Sequence, residues 1–392
     1  MQAKPTFSHA SSLDDEFVLK PRVDILSKAT DDELKFTLSG VNVSIANGLR
    51  RIILSEIPIV VFRVSPNNVN KCTVHANTCG LNNEIVKQRL SCIPIHIKDV
   101  SDFPLKNYVM ELNVQNNTDT TMYVTTQDFA IKDVHSGKML PENKVREIFP
   151  ADDITGDFID FVRLKAKPAE EIHGKTIHLT CEFDIGTAME DAAYNVVSTC
   201  SYGNTIDDVA QEVKLAQLKQ KWKDEGKKES EVEFEALNWK LLEGKRVFKK
   251  DSFDFVIQSI GIHTNAELLV LACKVMIEKL QKLSALVDTN DVDIKLADST
   301  IPNCYDIKLE NEDYTLGKVI EYFLLTTLFE KKTATFCGFK MLHPHDTYSM
   351  LRVAYKDPVV MDIIKRDLKS CIDHSIDAYT KLSKEFYKLV SR

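Results

Sequence analysis

In NVSIANGLRRIILSEIP, residues 42–58, apolar side chains fall at Ile45, Leu49, Ile52 and Ile53. That i, i+4, i+7, i+8 spacing predicts a helix with one buried face. Ser44 or Asn42 can cap its start, and Pro58 removes a donor and stops it. Arg50 and Arg51 sit on the flanks of the apolar stripe, where they either lie solvated along the core edge or meet a second protein. Two strand-like runs precede the helix, 17–25 and 34–38, with a polar turn between them. From 59 to about 202 the pattern is mainly short strands and polar turns, as in YVMELNVQ, TMYVTTQDF and KTIHLTCEFD, with NNEIVKQRL as a short helix.

Residues 205–250 carry dense, balanced charge broken at Gly226 and Gly244, which predicts two exposed helices with solvated faces. SFDFVIQSIGI follows as a strand. Thr264 and Glu267 then form a capping-box pattern ahead of a helix whose stripe includes Leu269, Cys273, Met276, Leu280 and Leu283.

After VDTNDVDIKLADST the order begins again. NCYDIKLEN is a strand, and Thr315 caps a helix with Leu316, Val319, Ile320, Phe323 and Leu324 on one face. KTATFCGFKM and DTYSMLRVAY are strands joined at HPHD, and Asp357–Pro358 open a long helix to about residue 390 carrying Ile364 and Ile372. Setting Ser44 against Thr315 aligns Ile45 with Leu316, Ala46 with Gly317, Leu49 with Ile320 and Ile52 with Phe323. This is a weak repeat in residues and a consistent one in pattern. Each unit leaves one helix face uncovered, and the two faces can cover each other.

Charge and cysteine usage narrow the function. The net charge of −8 argues against a protein that grips nucleic acid by itself. Nine cysteines are scattered without a Cys-x-x-Cys pair, which fits a reducing compartment and no zinc ribbon. The polar start lacks a signal-peptide core, and IPIVVF is too short to span a bilayer, so a soluble intracellular protein is expected. Asp291 and Asp293 are the nearest approach to a two-metal carboxylate cluster and read as solvated linker charge. His343 and His345 flank Pro344 in a tight turn without further ligands close in sequence. No phosphate loop or nucleophile elbow occurs, so no active site, metal or cofactor is expected.

SIANGLRRIILSEIP resembles the signature helix shared by the bacterial RNA polymerase alpha subunit, the archaeal D subunit and the third-largest subunit of eukaryotic RNA polymerase II. NNEIVKQRLSCIPI is similar to that family's Arg-Leu-x-x-Ile-Pro segment, and IGTAMEDAAYNVVSTCSY to its Gly-x-x-x-Glu-x-Ala stretch. ENEDYTLGKVI and FCGFKMLHPHD resemble motifs of the small partner subunit, archaeal L or the eleventh eukaryotic subunit, with Tyr314 in place of the usual His. A fusion of both in one chain is similar to the arrangement in large nucleocytoplasmic DNA viruses, which implies viral transcription, a host cytoplasm or viral-factory location and packaging in the virion.

The resemblance implies an α+β fold of two alpha-subunit-type dimerisation units paired through four helices, with a mostly β domain inserted in the first. Residues 1–16 form a flexible N-terminus, 17–58 plus 251–287 the first unit, and 59–250 the inserted domain with its charged helical excursion at 205–250. Residues 288–300 are the linker, and 292–392 form the second unit. Such a linker reaches about 50 Å and holds the units at roughly millimolar effective concentration, giving a monomeric pseudo-dimer. The helical stripes named above form the seam, with small Gly317 allowing close helix approach.

Function is then implied to be non-catalytic: an assembly platform of a DNA-directed RNA polymerase that docks the largest and second-largest subunits, with small subunits alongside. DNA is met only through the complex, and no membrane is involved. Asn47, Arg50 and Arg51 are the expected large-subunit contacts, joined by Glu84, Arg89 and the turn at Gly186, Thr187 and Glu190. The zinc loop and iron–sulfur insert of some relatives have no cysteines here at IHIKDVSDFPLKN, so no cofactor is implied. The alternative is a stand-alone transcription regulator or DNA-binding protein using the same fold.

Overall fold

The computed structural model describes residues 19–30, 33–100, 103–167, 169, 171 and 173–390. The expected flexible segment 1–16 lies outside them. β1 (Arg22–Thr30) and β2 (Glu33–Ser39) pair antiparallel, Ile25 opposite Phe36. Strand structure thus extends past the expected 17–25 run into part of the stretch read as a turn. α1 (Val43–Ser55) is capped by Asn42, whose side chain accepts from the Ser44 N–H at 2.9 Å. Between Asn42 and Ser44, the capping role falls to Asn42. Ile45, Ala46, Gly48, Leu49, Ile52 and Ile53 are all buried. After Val43 and Ser44 in the first turn, the helix reaches the surface along a narrow stripe through Asn47, Arg50, Arg51, Leu54 and Ser55.

The inserted lobe begins at β3 (Ile59–Val61) and β4 (Cys72–Asn77), followed by α2 (Asn83–Ser91), β5 (Tyr108–Asn116), β6 (Met122–Thr125) and β7 (Ala130–Asp133). It continues through α3 (Glu142–Ile148), β8 (Asp160–Leu164), β9 (Lys175–Glu182) and β10 (Asp184–Gly186). A four-stranded sheet in the order β4-β9-β5-β7 and a β6-β8 ribbon enclose its core. The two-stranded ribbon β10-β3 is the joint. Ile59 and Val61 pack into the core of the paired units, and Val60 and Phe62 into the core of the lobe. The two-residue period of a strand lets one short run serve both.

β11 (Val197–Ile206) corrects the expected domain boundary. It pairs with β12 (Phe248–Ser259) in the first unit's sheet, order β1-β2-β12-β11, so the insert ends before it rather than at 250. α4 (Asp208–Asp224) and α5 (Glu229–Leu241) form a separate helical arm between these two neighbouring strands. α6 (Asn265–Asp288) starts with the expected Thr264–Glu267 capping box.

The second unit has β13 (Ile294–Leu296), β14 (Cys304–Glu310), α7 (Tyr314–Leu324), β15 (Ala334–Lys340), β16 (Tyr348–Tyr355) and α8 (Met361–Val390), with sheet order β13-β14-β16-β15. Three local expectations change. The stretch 288–300 is not plain linker, because it contains β13, which pairs with β14 beyond it. Asp313, not Thr315, caps α7, accepting from the Thr315 N–H at 2.7 Å. α8 opens at Met361, after Asp357 and Pro358.

α6 packs along α8 and α1 along α7, giving the expected four-helix pairing. Leu269, Cys273, Leu280, Leu316, Val319, Phe323, Ile364 and Ile372 join the α1 stripe in one continuous core spanning both units. Phe36 of the first unit meets Phe386 of the second edge-on, ring centroids 6.1 Å apart. No described helix is long and apolar enough to cross a membrane.

Candidate functional site

The opening helix decides what its arginines do. Arg51 Nε donates to Thr315 Oγ1 at 2.8 Å and its Nη2 to Asp313 Oδ2 at 2.5 Å. Its fork therefore grips the capped start of α7, across the seam. Burial raises the Asp313 pKa, but hydrogen bonds from Thr315 and the charge of Arg51 outweigh it, so the net direction is down. Arg50, one residue earlier, points elsewhere. It donates from Nε and Nη2 to Asn47 Oδ1, at 3.1 and 3.0 Å, on its own helix. Those bonds hold a guanidinium and an amide together on the half-exposed stripe.

The GTAMED turn completes that surface. Met189 N–H donates to Ser55 O at 2.8 Å, fastening the turn to the end of α1. Thr187 O accepts from Glu190 N–H at 3.0 Å within the turn. Gly186 is required by packing, since a Cβ there lies 2.8 Å from the Tyr194 ring and 3.0 Å from Val61. Arg63, which the sequence pattern did not single out, braces the turn from below. Its guanidinium reaches Asp184 Oδ2 at 2.6 Å, Ile185 O at 2.6 Å and Glu190 Oε2 at 2.9 Å. Burial acts to lower the Arg63 pKa, and its two carboxylate partners override this to raise it. Pro58, Ile185 and Met189 remain exposed beside this network. Arg, Met and apolar residues over a braced polar frame are the composition of a protein interface.

Glu84 and Arg89 lie on another element. Glu84 is exposed in the first turn of α2. Arg89 donates to the carbonyls of Phe161 and Asp160 at 2.6 and 2.8 Å, tying α2 to β8 within the lobe. His343 and His345 occupy the expected turn, where His343 Nδ1 accepts from the His345 N–H at 3.1 Å.

Gly317 departs from its expected role. A Cβ on it would stand 2.0 Å from the Phe339 ring, so its smallness serves packing of α7 on β15 of its own unit. The close approach at the seam belongs to Gly48, where a Cβ would lie 2.7 Å from the Tyr379 hydroxyl, 3.2 Å from Met276 and 3.4 Å from the Thr315 carbonyl. Gly48 faces α6, α7 and α8 at once, and the Tyr379 hydroxyl donates to Ile45 O at 3.2 Å beside it. The i+3 spacing of Gly48 from Ile45 in the buried stripe was the available signal.

A second seam feature lies beyond pattern reading. Lys279 Nζ on α6 stands 2.7 Å from Glu56 Oε2 and 2.9 Å from Glu312 Oε2, joining both units through one ammonium. Glu56 Oε1 is buried without a hydrogen-bond partner among the described residues. Burial pushes the Glu312 pKa up, and Lys279 offsets this only in part. Burial also acts to lower the Lys279 pKa, and the two carboxylates reverse the sign.

The RNA polymerase Rpb3/Rpb11 dimerisation domain family matches residues 35–280, and a second family with the same description matches residues 304–385. The chain is similar to the human DNA-directed RNA polymerases I and III subunit RPAC1, 28% identical over 205 residues covering 48% of this chain and 55% of that protein. It is similar also to DNA-directed RNA polymerase subunit Rpo3 of Picrophilus torridus, 27% identical over 177 residues, 44% of this chain and 60% of that one. A Tetrahymena thermophila conjugation stage-specific protein matches at 24% over 192 residues, 45% of this chain and 57% of its own length. The chain thus spans little more than half the length of these curated relatives.

Proposed function

This chain belongs to the RNA polymerase Rpb3/Rpb11 dimerisation domain family, carrying both partners in tandem, and from that premise we propose that it is the assembly platform of a multisubunit DNA-directed RNA polymerase. It contributes a surface, and nucleotide addition belongs to the other subunits of the complex. The observation that carries this reading is the continuous strip from Asn47 and Arg50 along α1 to the Met189 turn, half-exposed and braced from beneath by Arg63.

Chemically the strip suits a protein partner. Arg50 presents a planar fork already oriented by Asn47, so less side-chain entropy is lost when a carboxylate or carbonyl meets it. Ile185, Met189 and Pro58 supply apolar area next to it. We assign the two largest polymerase subunits as the partners of this strip, with small subunits alongside. Arg51 supports the dock indirectly by fixing α1 against α7. Glu84 and Arg89 extend the dock onto the lobe.

The test is co-expression with the two largest subunits encoded beside this chain, sized by light scattering. Wild type is expected to join them. Arg50→Glu and Met189→Asp are expected to remain monomeric while melting as wild type does. Normal assembly by both variants would remove the α1 strip as the dock, and failure of the wild type to assemble would remove the platform reading itself.

A further inference from the structure

The lobe holds a pair of thiols that the docking surface does not use. Cys72 on β4 and Cys181 on β9 stand directly opposite in the antiparallel register, and both are buried, 1% and 0% exposed. The other strand cysteines in register, Cys200, Cys304 and Cys337, face Ile257, Ala354 and Val353.

The hydrogen bonds show which kind of opposition this is. The Cys72 N–H donates to Asn70 Oδ1 and the Cys72 carbonyl accepts from Asn70 Nδ2, each at 3.0 Å. Both backbone groups of Cys72 therefore point away from β9, to the open edge of the sheet. The ladder bond falls at the neighbouring pair, where the Glu182 N–H donates to Lys71 O at 3.2 Å. Cys72 and Cys181 thus form a non-hydrogen-bonded pair, the narrow kind in which Cα atoms approach to about 4.5 Å and side chains are closest. That separation falls within the range disulfides span, about 4.4–6.8 Å.

We propose that Cys72 and Cys181 are a redox couple that closes into a cross-strand disulfide when the protein meets a peroxide, stapling the inserted lobe at its base. The two thiols are chemically unequal. The neighbouring Cys181 thiol and the charge of Lys87 outweigh burial at Cys72 and hold it below the ordinary thiol value, while Cys181, whose Sγ donates to Glu182 O at 3.5 Å, is pushed above it. Cys72 is the attacking sulfur. Its thiolate takes one oxygen from hydrogen peroxide, the O–O bond breaks, and hydroxide leaves to take up the proton Cys72 released. Cys181 sulfur then attacks the sulfenic sulfur, the S–S bond forms, and the S–O bond breaks. The Cys181 proton leaves with that oxygen as water. Two thiols and one peroxide become one disulfide and two waters. β4 is an edge strand, so opening it exposes Cys72 without unfolding the sheet.

The bond closes a loop of about 110 residues, nearly the whole lobe, just inside the β10-β3 joint. A cross-link of that span raises the melting transition by on the order of 10 °C in the chain-entropy account. Whether the chain joins a polymerase does not enter.

The test treats the full chain with a small excess of hydrogen peroxide, quenches by alkylation and maps the peptides by mass spectrometry. The expected result is a linked Cys72–Cys181 peptide as the main product, a higher Tm, and reversal of both by dithiothreitol. Cys72→Val and Cys181→Val should each lose the shift. The mapping on unmutated protein decides the case if either variant folds poorly. Oxidation confined to the exposed Cys92 or to Cys79, with Cys72 and Cys181 both alkylated after denaturation, overturns the proposal. Linkage without a rise in Tm overturns the staple.

Discussion

α1 and α7 are equivalent helices in the two units, and they differ in what they do with the same positions. Asn42 and Asp313 cap them identically, each accepting from the N–H two residues on. Arg50 is matched by Glu321 in the alignment of the two units. Glu321 is consumed at home: Lys318 Nζ donates to it at 2.5 Å and the Phe339 N–H donates to it at 3.0 Å, anchoring β15. Arg50 bonds to Asn47 on its own helix and stays at the surface. The glycines fall at different aligned positions, Gly48 opposite Val319 serving the seam and Gly317 opposite Ala46 serving its own sheet. Backbone symmetry is thus kept where the units pair, and broken on the outer face. One unit closes its outer face with internal bonds and the other leaves a fork available.

The largest expected effect lies at the seam both units share. Lys279→Met strands Glu56 and Glu312 in a buried site without their cation, and should cost about 3–5 kcal/mol near neutral pH. The sign with pH follows from Glu312. Its folded pKa is raised above the unfolded value, so the native state holds more protons between the two values and stability falls as pH rises through that window. Removing Lys279 raises the carboxylate further, so the deficit of the variant should shrink toward pH 5. Urea unfolding at both pH values measures this, and a loss under about 1 kcal/mol at neutrality would show that the triad does not join the units.

Next come the two glycines, each expected to cost about 1–3 kcal/mol when changed to Ala. They should be rescued differently. Tyr379→Phe removes the hydroxyl 2.7 Å from the added methyl at 48 and should recover part of the Gly48→Ala loss. Phe339→Leu should do the same for Gly317→Ala and not for Gly48→Ala. Double-mutant cycles read the coupling, and equal rescue by both partners would erase the distinction between seam and sheet.

A smaller effect separates the two arginines. The Arg51 side chain is 35% exposed, so its bonds to Asp313 and Thr315 are partly screened, and Arg51→Met should cost about 1 kcal/mol. Arg50→Met should stay within about 0.5 kcal/mol, since its partner is on its own helix at the surface. Thermal melting of the pair checks this. Equal losses would mean that Arg50 too is structural.

How much of this was legible follows from what periodicity can carry. The helices α1, α6, α7 and α8 were readable because each repeats apolar residues at helical spacing through a shared core, and the equivalence of Ser44 with Thr315 was visible in the same pattern, although the cap itself proved to be Asp313. The edge of the insert was not. β11 has only two fully buried positions in ten, so its pattern marks no boundary with the lobe strands before it, and its pairing with β12 and the packing of Val197 and Cys200 into the paired units' core assign it to the first unit. Arg51 could be placed on the flank of a stripe, but its partners lie more than 260 residues away. Lys279 looked like any charge on an amphipathic helix. Its role depends on two carboxylates from distant turns, which no local pattern encodes.

The smallest effect is expected where charge is densest. The α4–α5 arm buries Leu215, Val232 and Ala236, and none of these belongs to either large core. It leaves Phe234, Leu237 and Leu241 exposed along one face of α5, spaced by three and four residues. Its ends are the neighbouring strands β11 and β12, whose register continues down to Ile206 opposite Phe248. Replacing residues 208–246 by a short Gly-Ser turn removes no residue from the paired units' core and shortens a closed loop, which lowers its closure cost by about 2 kcal/mol. The melting transition of the shortened chain should therefore lie within a few degrees of the parent. A drop of 10 °C or more would show that the arm supports the outer edge of the first unit's sheet, and would make the contrast between the closed and open units a matter of sheet stability as well as surface chemistry.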